Sequence, residues 1–161
     1  MMKKFLSILL VLPMVAGCTK YDTKLRSKDF THTGCASAAG TRAGSDDSEK
    51  SLLILKYEDG DLRVTRTNAM LNCIITVGGE VICETSVKGN VIHYKVYEYE
   101  EDGLTANCMC RVAEMTSVVK GLQIGKEYTF DYYCSHEYEP FTFVFKEGLV
   151  HIVREEDPWP E

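Results

Sequence analysis

The residues of this sequence most able to do chemistry are its cysteines. The chain of 161 residues has seven of them, which is more than an ordinary cytosolic protein uses and indicates an oxidising compartment. Those beyond Cys18 are Cys35, Cys73, Cys83, Cys108, Cys110 and Cys134. An even number of cysteines in an exported chain predicts a disulfide framework, here of three bonds.

The spacing of Cys108 and Cys110 restricts how these bonds can form. Two residues apart on a strand, their side chains face the same side with Cβ atoms about 7 Å apart, too far for one bond. Cys73 and Cys83 flank a Gly-Gly turn, but a two-residue loop there would place Cys73 opposite Glu84 and not opposite Cys83. We therefore expect Cys35 and Cys73 to pair with Cys108 and Cys110, in an order that the sequence leaves open. Cys83 is then expected to pair with Cys134.

An alternative for Cys108-Met109-Cys110 is a metal- or thiol-handling site, because two thiolates suit Cu(I) or Zn(II). It would need reduced thiols in an oxidising compartment, so we predict no metal and no cofactor. The sequence contains no Gly-x-Ser-x-Gly, His-Glu-x-x-His or phosphate-binding glycine loop. We accordingly predict no catalytic residues and no enzyme.

The first eighteen residues have the organisation of an export signal. Lys3 and Lys4 precede an apolar run over 5–15, which is too short for a membrane span of roughly 20 residues. The run ends in Val15-Ala16-Gly17-Cys18, which resembles the lipobox of bacterial lipoproteins. The resemblance implies cleavage before Cys18, acylation of Cys18 and attachment to a membrane through its acyl chains. The alternative is an ordinary signal peptide with a chance cysteine at the cleavage point.

The charge of the chain bears on its surroundings. The formal net charge is −6, which argues against a nucleic-acid partner because such a protein needs a basic face. Loss of residues 1–17 leaves 16 basic and 24 acidic residues, a net charge of −8. The residue after Cys18 is Thr19. By analogy with bacterial lipoproteins, an aspartate at that position would favour retention in the inner membrane. We expect an outer-membrane location in a Gram-negative bacterium, facing either the periplasm or the exterior.

The rest of the chain predicts one β-rich domain. Residues 18–50 are polar and linker-like, with one short strand near 30–35, and residues 155–161 form a C-terminal tail. Between them, 51–154 contain about eight short runs of strand-forming residues separated by turn signals such as Asp59-Gly60. This density predicts an all-β antiparallel sandwich of the immunoglobulin or fibronectin III type.

One local pattern supports that prediction. Leu122-x-x-Gly125-x-x-Tyr128 precedes an alternating strand and resembles the tyrosine corner of immunoglobulin-like domains, in which the phenol hydroxyl bonds to upstream backbone. Leu122 would cap the core, and Gly125 would adopt a turn conformation that a Cβ disfavours. The alternative is an unrelated loop followed by a strand that contains a tyrosine.

A second group of tyrosines is a candidate binding patch. If Tyr97, Tyr99 and Tyr133 face outward, they form an amphipathic surface that stacks on sugars or contacts a protein partner. The alternative is that these aromatic residues simply suit strands.

Several short motifs together resemble a group of small cysteine-containing lipoproteins of Gram-negative gut bacteria. They are Phe30-Thr31-His32-Thr33-Gly34-Cys35, Leu71-Asn72-Cys73, Asn107-Cys108-Met109-Cys110 and the segment Gly121 to Tyr128. The resemblance implies a lipid anchor and a sandwich domain, and it supplies no catalytic residue. Many such proteins have proline after the second cysteine of Cys-x-Cys, where this chain has Arg111.

The leading functional hypothesis is an envelope-anchored, non-enzymatic module for binding, adhesion or assembly, with a glycan or a protein as ligand. The alternatives are a periplasmic metal- or thiol-handling protein using Cys108 and Cys110, and a small envelope enzyme.

Overall fold

The protein is a sandwich of two β-sheets, as the sequence predicts. The computed structural model describes residues 26–27, 29–35, 50–99 and 107–155. The strands are β1 Thr31–His32, β2 Ser51–Glu58, β3 Asp61–Asn72, β4 Glu80–Lys88, β5 Val91–Tyr99, β6 Met109–Val119, β7 Glu127–Cys134, β8 His136–Glu137, β9 Phe141–Val144 and β10 Val150–Glu155. The predicted signal peptide, Cys18 and most of the predicted linker and tail lie outside these described residues.

The first sheet has the strand order β1-β6-β3-β2-β10. In the second sheet the order is β4-β5-β7, and the short strands β8 and β9 both pair with the free edge of β7. Neighbouring strands are antiparallel except for β5 and β7, which are parallel. The chain passes through β6 of the first sheet between them, and such a crossover allows β7 to run in the direction of β5. This pair departs from the fully antiparallel pairing that the sequence led us to expect.

Alternation along the strands explains the core between the sheets. Leu53 and Leu55 of β2 and Ile92 and Val96 of β5 face inward, and all four side chains are buried in one core cluster. Six aromatic residues belong to the same buried core: Tyr94, Tyr128, Phe130, Tyr132, Phe143 and Phe145. Each large apolar side chain contributes about 1.5–3 kcal/mol when fully buried, so this interior is the main stabilising term.

Sharp turns keep the strands in register. At the predicted hairpin between β2 and β3, Asp59 and Gly60 have φ of 52° and 92°, the positive values that a two-residue hairpin turn requires.

After β3 the chain forms a short 3-10 helix, Cys73–Thr76, whose first turn is capped by Asn72 Oδ1 accepting from the Ile74 amide. Within the described residues, no helix is long and apolar enough to cross a membrane.

The described residues from Arg26 to Cys35, which we call the strap, cross one open side of the sandwich. The Ser27 amide donates to the Cys83 carbonyl of β4 at 2.9 Å, and β1 then pairs with β6 of the other sheet. Phe30 packs against the core between these two attachments. The strap therefore connects the edges of both sheets, and the fold begins well before Ser51.

Candidate functional site

The outer face of the second sheet brings together the side chains that best fit a binding site. Parallel pairing places Lys95 of β5 beside Tyr133 of β7, and His93 beside Asp131. Their inward neighbours Tyr94 and Tyr132 are buried, so period-two alternation directs these four side chains outward.

Lys95 lies between two of the predicted patch tyrosines. Its Nζ is 4.9 Å from the ring centroid of Tyr97 and 4.9 Å from that of Tyr133. A cation within about 6 Å of an aromatic face is attracted by the ring quadrupole. The three side chains therefore form one unit, which we call the Tyr-Lys-Tyr cluster. Tyr99 lies farther along β5 with 47% of its surface exposed, beyond this cluster.

The cluster is tied to β4 through the phenol of Tyr97. Its hydroxyl donates to Glu84 Oε1 at 2.7 Å. This hydrogen bond to the carboxylate, helped by partial burial, raises the pKa of Tyr97 to about 12. The phenol therefore stays protonated at neutral pH, which preserves the hydrogen bond and holds the ring in place.

A histidine–carboxylate pair lies next to the cluster. His93 Nδ1 is 2.7 Å from Asp131 Oδ2, and both side chains are slightly less than half exposed. Neither residue belongs to the patch predicted from the sequence. They are 38 positions apart, and only the pairing of β5 with β7 makes them neighbours.

A groove of about 720 Å³ runs along this face. Its lining includes His93, Lys95, Asp131 and Tyr133, with Glu137 to Pro140 as the wall. Ser135, with φ of 57°, turns the chain from β7 into that wall. The Tyr138 amide then donates to the Tyr132 carbonyl at 3.2 Å, which fixes the wall against β7.

Arg66 supports the wall from inside the sandwich. It belongs to β3 of the first sheet, is only 6% exposed, and donates to the hydroxyl groups of Tyr132 and, at 2.7 Å, Tyr138. The rings of those two tyrosines stack with centroids 4.6 Å apart. This arginine was not predicted from the sequence, because nothing in a β-rich pattern marks one charged residue as inward-facing.

The cysteines confirm the predicted disulfide framework in part. Cys35 bonds to Cys110 and Cys73 to Cys108, each with Cα atoms 5.5 Å apart, which settles the order that the sequence left open. Both sulfurs of the Cys-x-Cys pair are thus consumed, so they do not offer the thiolates that a soft metal needs. Among the described residues there is also no cluster of three or more potential metal ligands.

The predicted bond between Cys83 and Cys134 is wrong. Both residues are buried thiols, and both are paired in register with Val96 of the intervening strand β5. Two strand spacings separate their Cα atoms by about 9.5 Å, whereas a disulfide needs less than about 7 Å. Burial raises the pKa of Cys83 to about 11, so this thiol stays protonated at neutral pH.

The loop before β7 has the geometry that its sequence pattern predicts. The Gln123 amide donates to the Tyr128 hydroxyl at 2.9 Å, and the Tyr128 ring is only 2% exposed. Gly125 has φ of 84°, in the region that favours glycine, and Leu122 is buried at the edge of the core. This loop fixes the start of β7 and thereby the positions of Asp131 and Tyr133 within that strand.

Comparison with known proteins gives no match for this architecture. No protein-family model matches the sequence, and no curated protein or solved structure matches it at a significant level.

Proposed function

We propose that this protein is a lipid-anchored envelope protein whose sandwich binds an extracytoplasmic ligand without catalysing a reaction. The groove beside the Tyr-Lys-Tyr cluster is the proposed binding site. The single observation that carries the proposal is the position of Lys95, which lies between Tyr97 and Tyr133 and lines the groove together with Tyr133. Rigid aromatic rings with a polar group between them are typical of surfaces that bind partners.

The pairing of charged groups on this face favours recognition over catalysis. Glu84 accepts from Tyr97, Asp131 lies against His93, and Lys95 lies against two rings. Groups that are held by one another in this way are fixed in position. Such groups can select a ligand by shape and hydrogen bonding at little cost in ordering entropy.

Two observations support an envelope location. The motif Val15-Ala16-Gly17-Cys18 fits a lipoprotein signal, and the two disulfides suit an oxidising compartment. The strap begins at Arg26, and eight residue steps from Cys18 span at most about 28 Å. An acylated Cys18 would therefore hold the β4 edge of the sandwich close to the membrane surface, with the outer membrane as the proposed location.

Capture from the envelope tests the binding proposal. The soluble chain from Thr19 to Glu161 is immobilised and exposed to envelope extract and to spent growth medium, and the retained protein and polysaccharide are quantified. We expect Lys95→Ala/Tyr133→Ala to retain about tenfold less material. Tyr99→Ala is the matched control, because it removes a tyrosine from the same strand and face but outside the cluster. Equal retention by all three chains would refute the proposed site.

A further inference from the structure

We infer that the groove binds a neutral saccharide. This inference rests on the proposed binding function and adds the chemical class of the ligand. It follows from three properties of the groove: its aromatic surface, its mixture of hydrogen-bond donors and acceptors, and the sign of its charge.

The aromatic surface suits a sugar ring. Tyr133 is half-buried at the groove and is held by Lys95 on the neighbouring strand. A flat, fixed tyrosine ring offers apolar area at little entropic cost together with a polar hydroxyl at its edge. A pyranose has the complementary character, with apolar C–H groups on its faces and hydroxyl groups around its rim.

The polar groups around that ring suit hydroxyl ligands. Lys95 supplies donors, while the carboxylates of Asp131, Glu137 and Glu139 supply acceptors. A sugar hydroxyl both donates and accepts, so it can bond to either kind of group. The groove volume of about 720 Å³ is within the range of small-molecule sites, about 300–1,000 Å³.

The charge of the groove disfavours the other ligand classes. Three carboxylates outnumber the one lysine in the lining, and the chain as a whole has a net charge of −6, so polyanions such as acidic polysaccharides are repelled. A cationic side chain is kept away from the two rings for a different reason, because the ammonium of Lys95 between them repels a second cation. A neutral ligand meets neither penalty.

Affinity electrophoresis tests this inference with defined probes. The soluble chain from Thr19 to Glu161 is run in native gels containing glucomannan, dextran, a neutral β-glucan or polygalacturonate. We expect at least one neutral polysaccharide to slow the chain and polygalacturonate to leave it unchanged. Tyr133→Ala should weaken the retardation about tenfold, and Tyr99→Ala should leave it intact. Lys95→Met, at an exposed position, should also weaken retardation, so the test survives if Tyr133→Ala fails to fold.

The possible failures separate the two proposals. Retardation by polygalacturonate alone would overturn the neutral saccharide, as would capture of a protein and no polysaccharide in the envelope experiment. In both cases dependence of binding on Lys95 and Tyr133 would leave the proposed binding function standing. Absence of binding in both experiments would overturn both proposals.

Discussion

Cys83 and Cys134 lie on opposite sides of Val96, in strands that β5 keeps apart. Both thiols are buried in the core, and that of Cys83 interacts with the hydroxyl of Tyr94, which is itself 2.8 Å from Ser117 Oγ. The second sheet therefore contains two reduced cysteines that cannot bond to each other without separating β5 from a neighbouring strand.

This arrangement predicts a specific thiol count. For the chain from Thr19 to Glu161, Ellman's reagent should detect no thiol in the native protein. It should detect two in guanidinium without reductant, and six after reduction, given two disulfides and two thiols. Detection of no thiol in the unfolded, unreduced protein would show that Cys83 and Cys134 are bonded, and would contradict the order of strands β4, β5 and β7.

The burial of Cys83 also predicts a loss of stability at high pH. Its pKa is raised from 9.0 to about 11, so the folded state holds the proton more tightly than the unfolded state does. The buried, protonated thiol of Cys83 stabilises the folded state fully below pH 9, and this stabilisation is lost as the pH rises towards 11. The loss amounts to about 2–3 kcal/mol in the free energy of unfolding. Guanidinium titrations between pH 8 and 10.5 measure it, and Cys83→Ala should flatten the slope. An unchanged slope in that variant would assign the pH dependence to other groups.

Tyr128→Phe tests the loop that positions β7. The substitution keeps the buried ring but removes the hydroxyl that accepts from the Gln123 amide, which should cost about 1–3 kcal/mol. The measurement is the guanidinium midpoint at constant slope. Tyr99→Phe, at an exposed ring, is the control and should change little. Equal small shifts in both variants would mean that the hydrogen bond contributes nothing to stability.

Cys18→Ala tests the lipid anchor. If the motif ending at Cys18 directs acylation, the variant should incorporate no alkyne-labelled palmitate and should leave the detergent phase on phase separation. The physical reason is that acyl chains contribute about 0.8 kcal/mol per buried methylene to membrane attachment. Equal labelling of the variant and the wild type would exclude Cys18 as the acylated residue.

The features of this structure that the sequence predicts correctly are mostly local ones, and its long-range contacts are predicted less well. Asp59-Gly60 marks a hairpin because its positive φ values suit few residues, and Gly125 and Tyr128 mark a loop for a similar local reason. The two-residue spacing of Cys108 and Cys110 is also local, and it correctly excluded a bond between those two cysteines. These features need no knowledge of which strands are neighbours.

The order of the strands has no such local signal. Only the parallel pairing of β5 with β7 separates Cys83 from Cys134, joins His93 to Asp131 and places Lys95 beside Tyr133. A one-dimensional pattern of alternating residues is the same whether a strand pairs with one neighbour or another. The predicted patch was therefore right in placing Tyr97 and Tyr133 on one face, but it lacked the lysine between them.

The most direct test of the proposed binding site is hydroxyl-radical and amine-acetylation footprinting of the wild-type protein in the cell envelope, its proposed location. Labelling of Tyr97, Tyr133 and Lys95 is compared between intact envelopes and the purified protein in detergent, with Tyr99 and the exposed Met109 as internal controls. If the groove is occupied by a ligand, labelling of the Tyr-Lys-Tyr cluster should fall in envelopes while that of Tyr99 and Met109 stays constant. Equal labelling of the cluster in both preparations would contradict the assignment of this face as the binding site.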